Sequence, residues 1–150
     1  MSTNRPRKIP VFITHAWRFH DDWNRLASLM EQVQDSPWVN YSIPWYDPSI
    51  RVHRDAGKEK LESMLLTQIL PAKFIIFLCG VYSTKSAQVW FNTALDIAHD
   101  NRKTVLLMPG FADRNFDAPD RLANSLRVSW DLEELRNVAL DLLVSSQEGP

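Results

Sequence analysis

The chain predicts an α/β domain: a doubly wound parallel sheet of five strands with helices on both faces. Three observations carry this expectation. Apolar runs of four to seven residues alternate with longer amphipathic stretches, the order that βαβ units impose. The clearest runs are apolar at consecutive positions, as strands covered on both faces require. The 150 residues, 45% hydrophobic and 23% charged, fit one domain able to bury its own core. There is no internal repeat, low-complexity segment or linker to divide them.

Each element has a local reason. Ile9 to Thr14 reads as the first strand. Trp23, Leu26, Ala27, Met30 and Val33 then recur at helical spacing over Asp21 to Gln34, and Pro37 stops that helix. Val39 to Ile43 is a shorter strand, followed by a loop from Pro44 to Ala56. Leu61, Leu65 and Ile69 share one stripe of a helix over Lys58 to Leu70, with Pro71 beyond its end. Lys73 to Cys79 is the most apolar strand, Ser83 to Asn101 a helix and Thr104 to Met108 the next strand. Pro109 to Pro119 reads as an irregular loop, and Leu126 to Ser129 as the fifth strand. Asp131 caps a last helix whose apolar face is Leu132, Leu135, Ala139, Leu142 and Leu143. The expected organisation is a flexible N-terminus over 1–8, a single domain over 9–144 and a flexible tail over 145–150.

Composition excludes several functions. Seventeen Lys and Arg balance 18 Asp and Glu, so a generic polyanion binder is ruled out and no nucleic-acid partner is expected. Six tryptophans stand beside only four glycines: Gly57, Gly80, Gly110 and Gly149. Neither glycine-rich phosphate-binding pattern can be built from them. The single cysteine, Cys79, excludes an intrachain disulfide and a multi-cysteine zinc site. His15, His20, His53 and His99 lack zinc-ligand spacing, so no metal is expected. The apolar run Phe74 to Cys79 is far below the ~20 residues of a membrane helix. The basic start has no apolar stretch behind it, and a cytoplasmic protein without a membrane partner is expected.

Doubly wound sheets bind ligands at the carboxyl ends of their strands, near the point where strand order reverses. Three such ends bring Thr14, His15 and Trp17 together with Tyr41, Ser42, Trp45 and Asp47, and with Cys79, Gly80 and Tyr82. Aromatic faces, hydroxyls, one imidazole and one carboxylate suit a nucleoside ligand. The plainer reading is that the tryptophans cover sheet edges, that Asp47 belongs to an Asp-Pro turn and that Cys79 is an inert core thiol.

The segment Val11-Phe-Ile-Thr-His-Ala-Trp17, with His20-Asp-Asp-Trp23 after it, resembles the opening of Toll/interleukin-1 receptor (TIR)-like domains. The nearest likeness is to the bacterial branch found in Thoeris anti-phage systems. Tyr41-Ser-Ile-Pro44 with Asp47-Pro48 is similar to that branch's N-Y-S-V-P-x-x-D-P stretch. Lys60 to Pro71 resembles its second helix, Phe74 to Tyr82 its strand ending L-x-G-x-Y, and Ser86 to Ala98 its W-x-x-x-E helix. The resemblance covers about residues 9 to 130 and implies a flavodoxin-like fold.

It also implies an activity: cleavage of NAD at the nicotinamide bond, with NAD as substrate and no cofactor. The product would be an ADP-ribose-derived nucleotide that signals to a separate effector protein, and the domain itself would be capable of homo-oligomerisation. The pocket would be framed by Thr14, His15, Trp17, Tyr41, Ser42, Asp47, Cys79, Gly80, Tyr82 and Trp90. In such enzymes the glutamate four residues after the tryptophan is catalytic. Here the tryptophan is Trp90, and the fourth residue on is Ala94; no glutamate occurs between Ser63 and Asn124. Asp96 falls on roughly the opposite helix face, so the chain is expected to be inactive. Either an original glutamate has been replaced, or this is a non-catalytic TIR domain acting by assembly or ligand sensing. A nucleoside deoxyribosyltransferase-like enzyme, which shares the fold and a single catalytic carboxylate, is the remaining alternative.

Overall fold

The computed structural model describes residues 8–15, 21–43, 55–79, 88–111 and 120–148. They form β1 (Ile9–Ile13), α1 (Asp21–Gln32), β2 (Trp38–Asn40), α2 (Asp55–Ile69), β3 (Phe74–Leu78), α3 (Gln88–Asp100), β4 (Thr104–Met108), a 3-10 turn (Asp120–Leu122), β5 (Leu126–Arg127) and α4 (Leu132–Glu148). The strands make one parallel sheet in the order β2-β1-β3-β4-β5. This is the predicted α/β architecture, consistent with a flavodoxin-like fold.

The sheet is a core because its central strands have no wet face. Every residue of β3 is buried, and Val11, Phe12 and Ile13 of β1 lie against it in the register Val11↔Phe74 to Ile13↔Ile76. Parallel crossovers are right-handed. The connection through α1 steps from β1 out to β2, whereas α2 carries the chain back across β1 to β3. Reversing the direction of travel moves α2, and α3 after it, to the opposite face from α1. Leu61, Leu65 and Ile69 of α2 and Trp90, Phe91, Ala94, Leu95 and Ala98 of α3 are buried in the same core. Phe91 meets Phe77 of β3 edge-on at 5.5 Å, a favoured geometry for aromatic pairs. In α4, Leu135, Ala139 and Leu143 are buried while Leu132 and Leu142 are half-buried, so the predicted face is the packed one.

Several boundaries differ from the sequence expectation. β2 ends at Asn40 rather than Ile43, because the Asn40 side chain accepts the Ser42 N–H at 2.9 Å and turns the backbone off the ladder. Tyr41 N still donates to Val11 O at 2.9 Å before the strands part. α2 begins at Asp55, about a turn before Lys58. α4 continues to Glu148, through the start of the expected flexible tail at Ser145. Residues 1–7, the end of the tail at 149–150 and most of the Pro109–Pro119 loop lie outside the described residues.

The scarcity of glycine shows at the helix ends. After α3, Lys103 N donates to Ala98 O at 2.8 Å and Arg102 N to His99 O at 3.1 Å. This is the Schellman pattern, which puts its C′ residue in the left-handed region and is usually closed by glycine. Here Arg102 occupies it with φ 54°, and Asp35 beyond α1 has φ 52°. A side chain there strains the backbone by roughly 1–2 kcal/mol, part of which glycine's larger unfolded-state entropy offsets. Arg102→Gly should therefore stabilise the fold by about 0.5–1 kcal/mol. A urea midpoint that falls instead of rising would contradict this.

Candidate functional site

Strand order reverses at β1, which has β2 on one side and β3 on the other. The crevice beyond the carboxyl ends of β1 and β3 is where doubly wound sheets hold ligands. Thr14 is buried at this end of the sheet. Its N–H donates to Ile76 O at 2.9 Å and its Oγ1 accepts the Leu78 N–H at 3.2 Å, extending the β1–β3 pairing past the last ladder residues.

His15 follows, with only 1% of its surface exposed. Its ring lies 5.5 Å from Phe12 and 5.8 Å from Trp90, tilted to both. Trp90 belongs to α3, so the end of β1 and the start of the third helix meet at this imidazole. The second helix reaches it as well, because His15 Nε2 lies 3.1 Å from Gln68 Oε1.

The hydrogen-bond network fixes the roles of these atoms. Ile43 N donates to Gln68 Oε1 at 2.8 Å, and Gln68 Nε2 reaches back to Ile43 O at 3.4 Å. Gln68 thus clamps the chain leaving β2, with Oε1 committed as an acceptor. His15 Nε2 must then be the donor, which leaves Nδ1 as a bare lone pair. Among the described residues, Nδ1 is a buried side-chain nitrogen with no hydrogen-bond partner.

Burial disfavours the charged ring and lowers the His15 pKa from 6.5 to about 4, with the Gln68 hydrogen bond a smaller opposing effect. The unfolded chain takes up this proton near pH 6.5, while the folded chain refuses it until about pH 4. Stability linked to His15 is therefore present above pH 6.5 and lost as pH falls through that window, amounting to about 3 kcal/mol. His15→Gln, with no ring to titrate, should show a shallower loss of urea stability between these pH values. Parallel curves for the two proteins would contradict the assignment.

Ser42 is buried on the other side of the β2 exit. Its Oγ accepts the Trp23 indole N–H at 3.1 Å and is hydrogen-bonded to Asn40 Oδ1. The hydroxyl thus ties α1 to the end of β2, and Trp23, read from sequence as a core residue, is half-buried there. Tyr41 is exposed and Cys79 is half-buried at the end of β3. Ala94 is 2% exposed, one helical turn beyond Trp90 and on the same face. Asp96 projects outward, paired with Arg121 Nη2 at 2.6 Å, while Arg121 Nη1 donates to Asn92 at 3.1 Å. Asp96 thus faces away from Ala94, as helical spacing predicts.

A second cluster lies beyond β4. Arg25 of α1 stacks over Phe111 at 3.7 Å, Phe111 meets Trp130 edge-on at 5.3 Å, and Trp130 Nε1 donates to Pro109 O at 2.8 Å. These contacts brace α1 against the approach to α4.

Of the predicted site residues, Thr14, His15 and Trp90 come together, and Ser42 joins them through the Gln68 clamp on its neighbour Ile43. Trp17, Asp47, Gly80 and Tyr82 lie outside the described residues, as does Trp45. Gln68 was missed. Its signal was its position, three residues after Leu65 and seven after Leu61 on the apolar stripe of α2, where a polar side chain has to find a buried partner.

No group of three or more His, Cys, Asp or Glu among the described residues is placed to hold a metal ion. Among the described residues, no helix is long and apolar enough to cross a membrane. Compared with known proteins, the chain matches no family model, no curated protein and no solved structure.

Proposed function

We propose that this chain is a TIR-like domain of the Thoeris anti-phage type, built to cleave NAD at the nicotinamide bond in the bacterial cytoplasm, with Ala94 at the position of the catalytic glutamate. The observation that carries the reading is the meeting of His15 and Trp90, rings 5.8 Å apart. His15 belongs to the first segment of the likeness and Trp90 to its W-x-x-x-E helix, and Ala94 continues the same helix face.

The chemistry needs little from the protein. Nicotinamide leaves as a neutral molecule from a cationic ring, so no strong general acid is required. The ribose left behind has oxocarbenium character, and a carboxylate that holds its hydroxyls and faces the anomeric carbon stabilises the positive charge electrostatically. Water as acceptor gives ADP-ribose, an adenine nitrogen a cyclic product, and another nucleophile a conjugate; any of these would signal to a separate effector. The Ala94 methyl can neither bind hydroxyls nor oppose positive charge. The present chain should bind NAD and leave it intact, whereas Ala94→Glu should release nicotinamide.

A second reading has its own support. Ala94 belongs to the buried core, where a methyl group suits a close-packed helix face. A TIR scaffold that signals by assembly would keep this alanine and consume no NAD. Size-exclusion or filament imaging of the Ala94→Glu variant separates the two, since a scaffold assembles while NAD persists.

A further inference from the structure

We infer that His15 Nδ1 receives a hydrogen bond from a neutral donor group of the bound ligand, a sugar hydroxyl or a carboxamide N–H, so that this corner of the site selects a nucleoside moiety and rejects the ionised phosphates of a dinucleotide. The inference rests on the NAD reading only for the ligand's identity; the acceptor itself follows from the clamp.

A buried polar atom without a partner is rare in native structures, and each instance calls for a reason. Nδ1 is such an atom, on a residue 1% exposed at the switch-point crevice. Its character is not free to change. Ile43 N holds Gln68 Oε1 as an acceptor, Oε1 holds His15 Nε2 as the donor, and Nδ1 is left to accept. Binding the ionised phosphates of a dinucleotide there would require Nδ1 to carry a proton, because those oxygens have none to donate. With the ring's affinity for protons lowered to about 4, that form makes up about one part in a thousand at pH 7. An unprotonated lone pair repels an anionic oxygen and attracts an O–H or N–H. Phe12 and Trp90 flank the ring and are buried with it, an apolar surrounding that disfavours a hydrated anion. The tautomer lock thus orients the substrate: the phosphates must lie away from His15, and the ribose or the nicotinamide amide must lie toward it.

The test uses the intact Ala94 chain with isotope-labelled histidine, read by NMR of the ring nitrogens. The free protein should show His15 protonated at Nε2 and bare at Nδ1. Adenosine, nicotinamide riboside or NAD should then shift the Nδ1 resonance toward the hydrogen-bonded value, while sulfate, an oxyanion with no proton to donate, leaves it unmoved. His15→Gln keeps a donor for Gln68 but loses the acceptor, and should weaken binding of the responding probe about tenfold. His15→Asn, whose Oδ1 falls near the place of Nδ1, should lose less. If His15→Gln does not fold, the titration of the unaltered chain decides alone.

A proton on Nδ1 in the free chain, or an Nδ1 resonance unmoved by adenosine, nicotinamide riboside and NAD alike (the result for an enclosed water), would overturn the inference. An equal response to sulfate, or unchanged affinity in His15→Gln, would do the same. The two readings fail separately. Nucleoside shifts at Nδ1 with no nicotinamide release from Ala94→Glu defeat the NAD reading alone, and release with an unmoved Nδ1 defeats this one alone.

Discussion

Ala94→Glu should turn a chain that leaves NAD intact into one that releases nicotinamide about a hundred- to a thousandfold faster, the scale on which a single electrostatic group acts in a dry site. The same substitution should weaken the ligand-free fold. Ala94 is 2% exposed, and a carboxylate brought there loses its hydration without gaining a cation, at a cost of a few kcal/mol. A bound substrate with a cationic ring and ribose hydroxyls supplies the missing partners. NAD should therefore raise the melting temperature of Ala94→Glu more than that of the parent, by mass action on the folded state. Ala94→Gln, similar in shape but uncharged, should release no nicotinamide. Equal silence of the Glu and Gln variants, with lysate of phage-infected cells added as a source of activator, would remove the basis for an enzyme.

Gln68→Leu should destabilise the protein by about 2–4 kcal/mol, since it leaves a buried donor and a backbone pair without partners. His15 Nε2–H loses its acceptor, and Ile43 loses both halves of the clamp. His15 already has an unpartnered Nδ1, so its whole imidazole would be stranded between Phe12 and Trp90. The damage should be local to the switch point, with amide exchange rising first near Tyr41 to Ile43. Gln68→Glu keeps the acceptor and adds negative charge beside the ring, which should raise the His15 pKa. A Gln68→Leu protein as stable as the parent would show that the clamp does not hold the β2 exit.

The sheet was legible because its evidence is local and repeated. β1, β3 and β4 are continuous apolar runs of the length that doubly covered strands require, and the amphipathic stretches between them allow few right-handed topologies. Helix faces were legible for the same reason. What escaped depended on side chains acting on the backbone over short distances. Apolar spacing does not reveal that Asn40 caps Ser42, so β2 read three residues too far. Arg102 sits where glycine is the usual signal, so a left-handed cap carried no mark in the sequence. Gln68 sat in plain view on an apolar stripe, but its partners lie 25 and 53 residues away, and only the fold brings them together. Thr14 and Ser42 were singled out as hydroxyls for a ligand, and the oxygens of both are engaged within the protein.

The most direct measurement is mass spectrometry of the small molecules formed from isotope-labelled NAD by Ala94→Glu, with the parent chain beside it. The expected result is free nicotinamide in equal amount to one ADP-ribose-derived product, linear, cyclic or conjugated, from the variant alone. NAD recovered intact from both proteins, with folded Ala94→Glu confirmed and phage lysate present, would contradict the proposed activity.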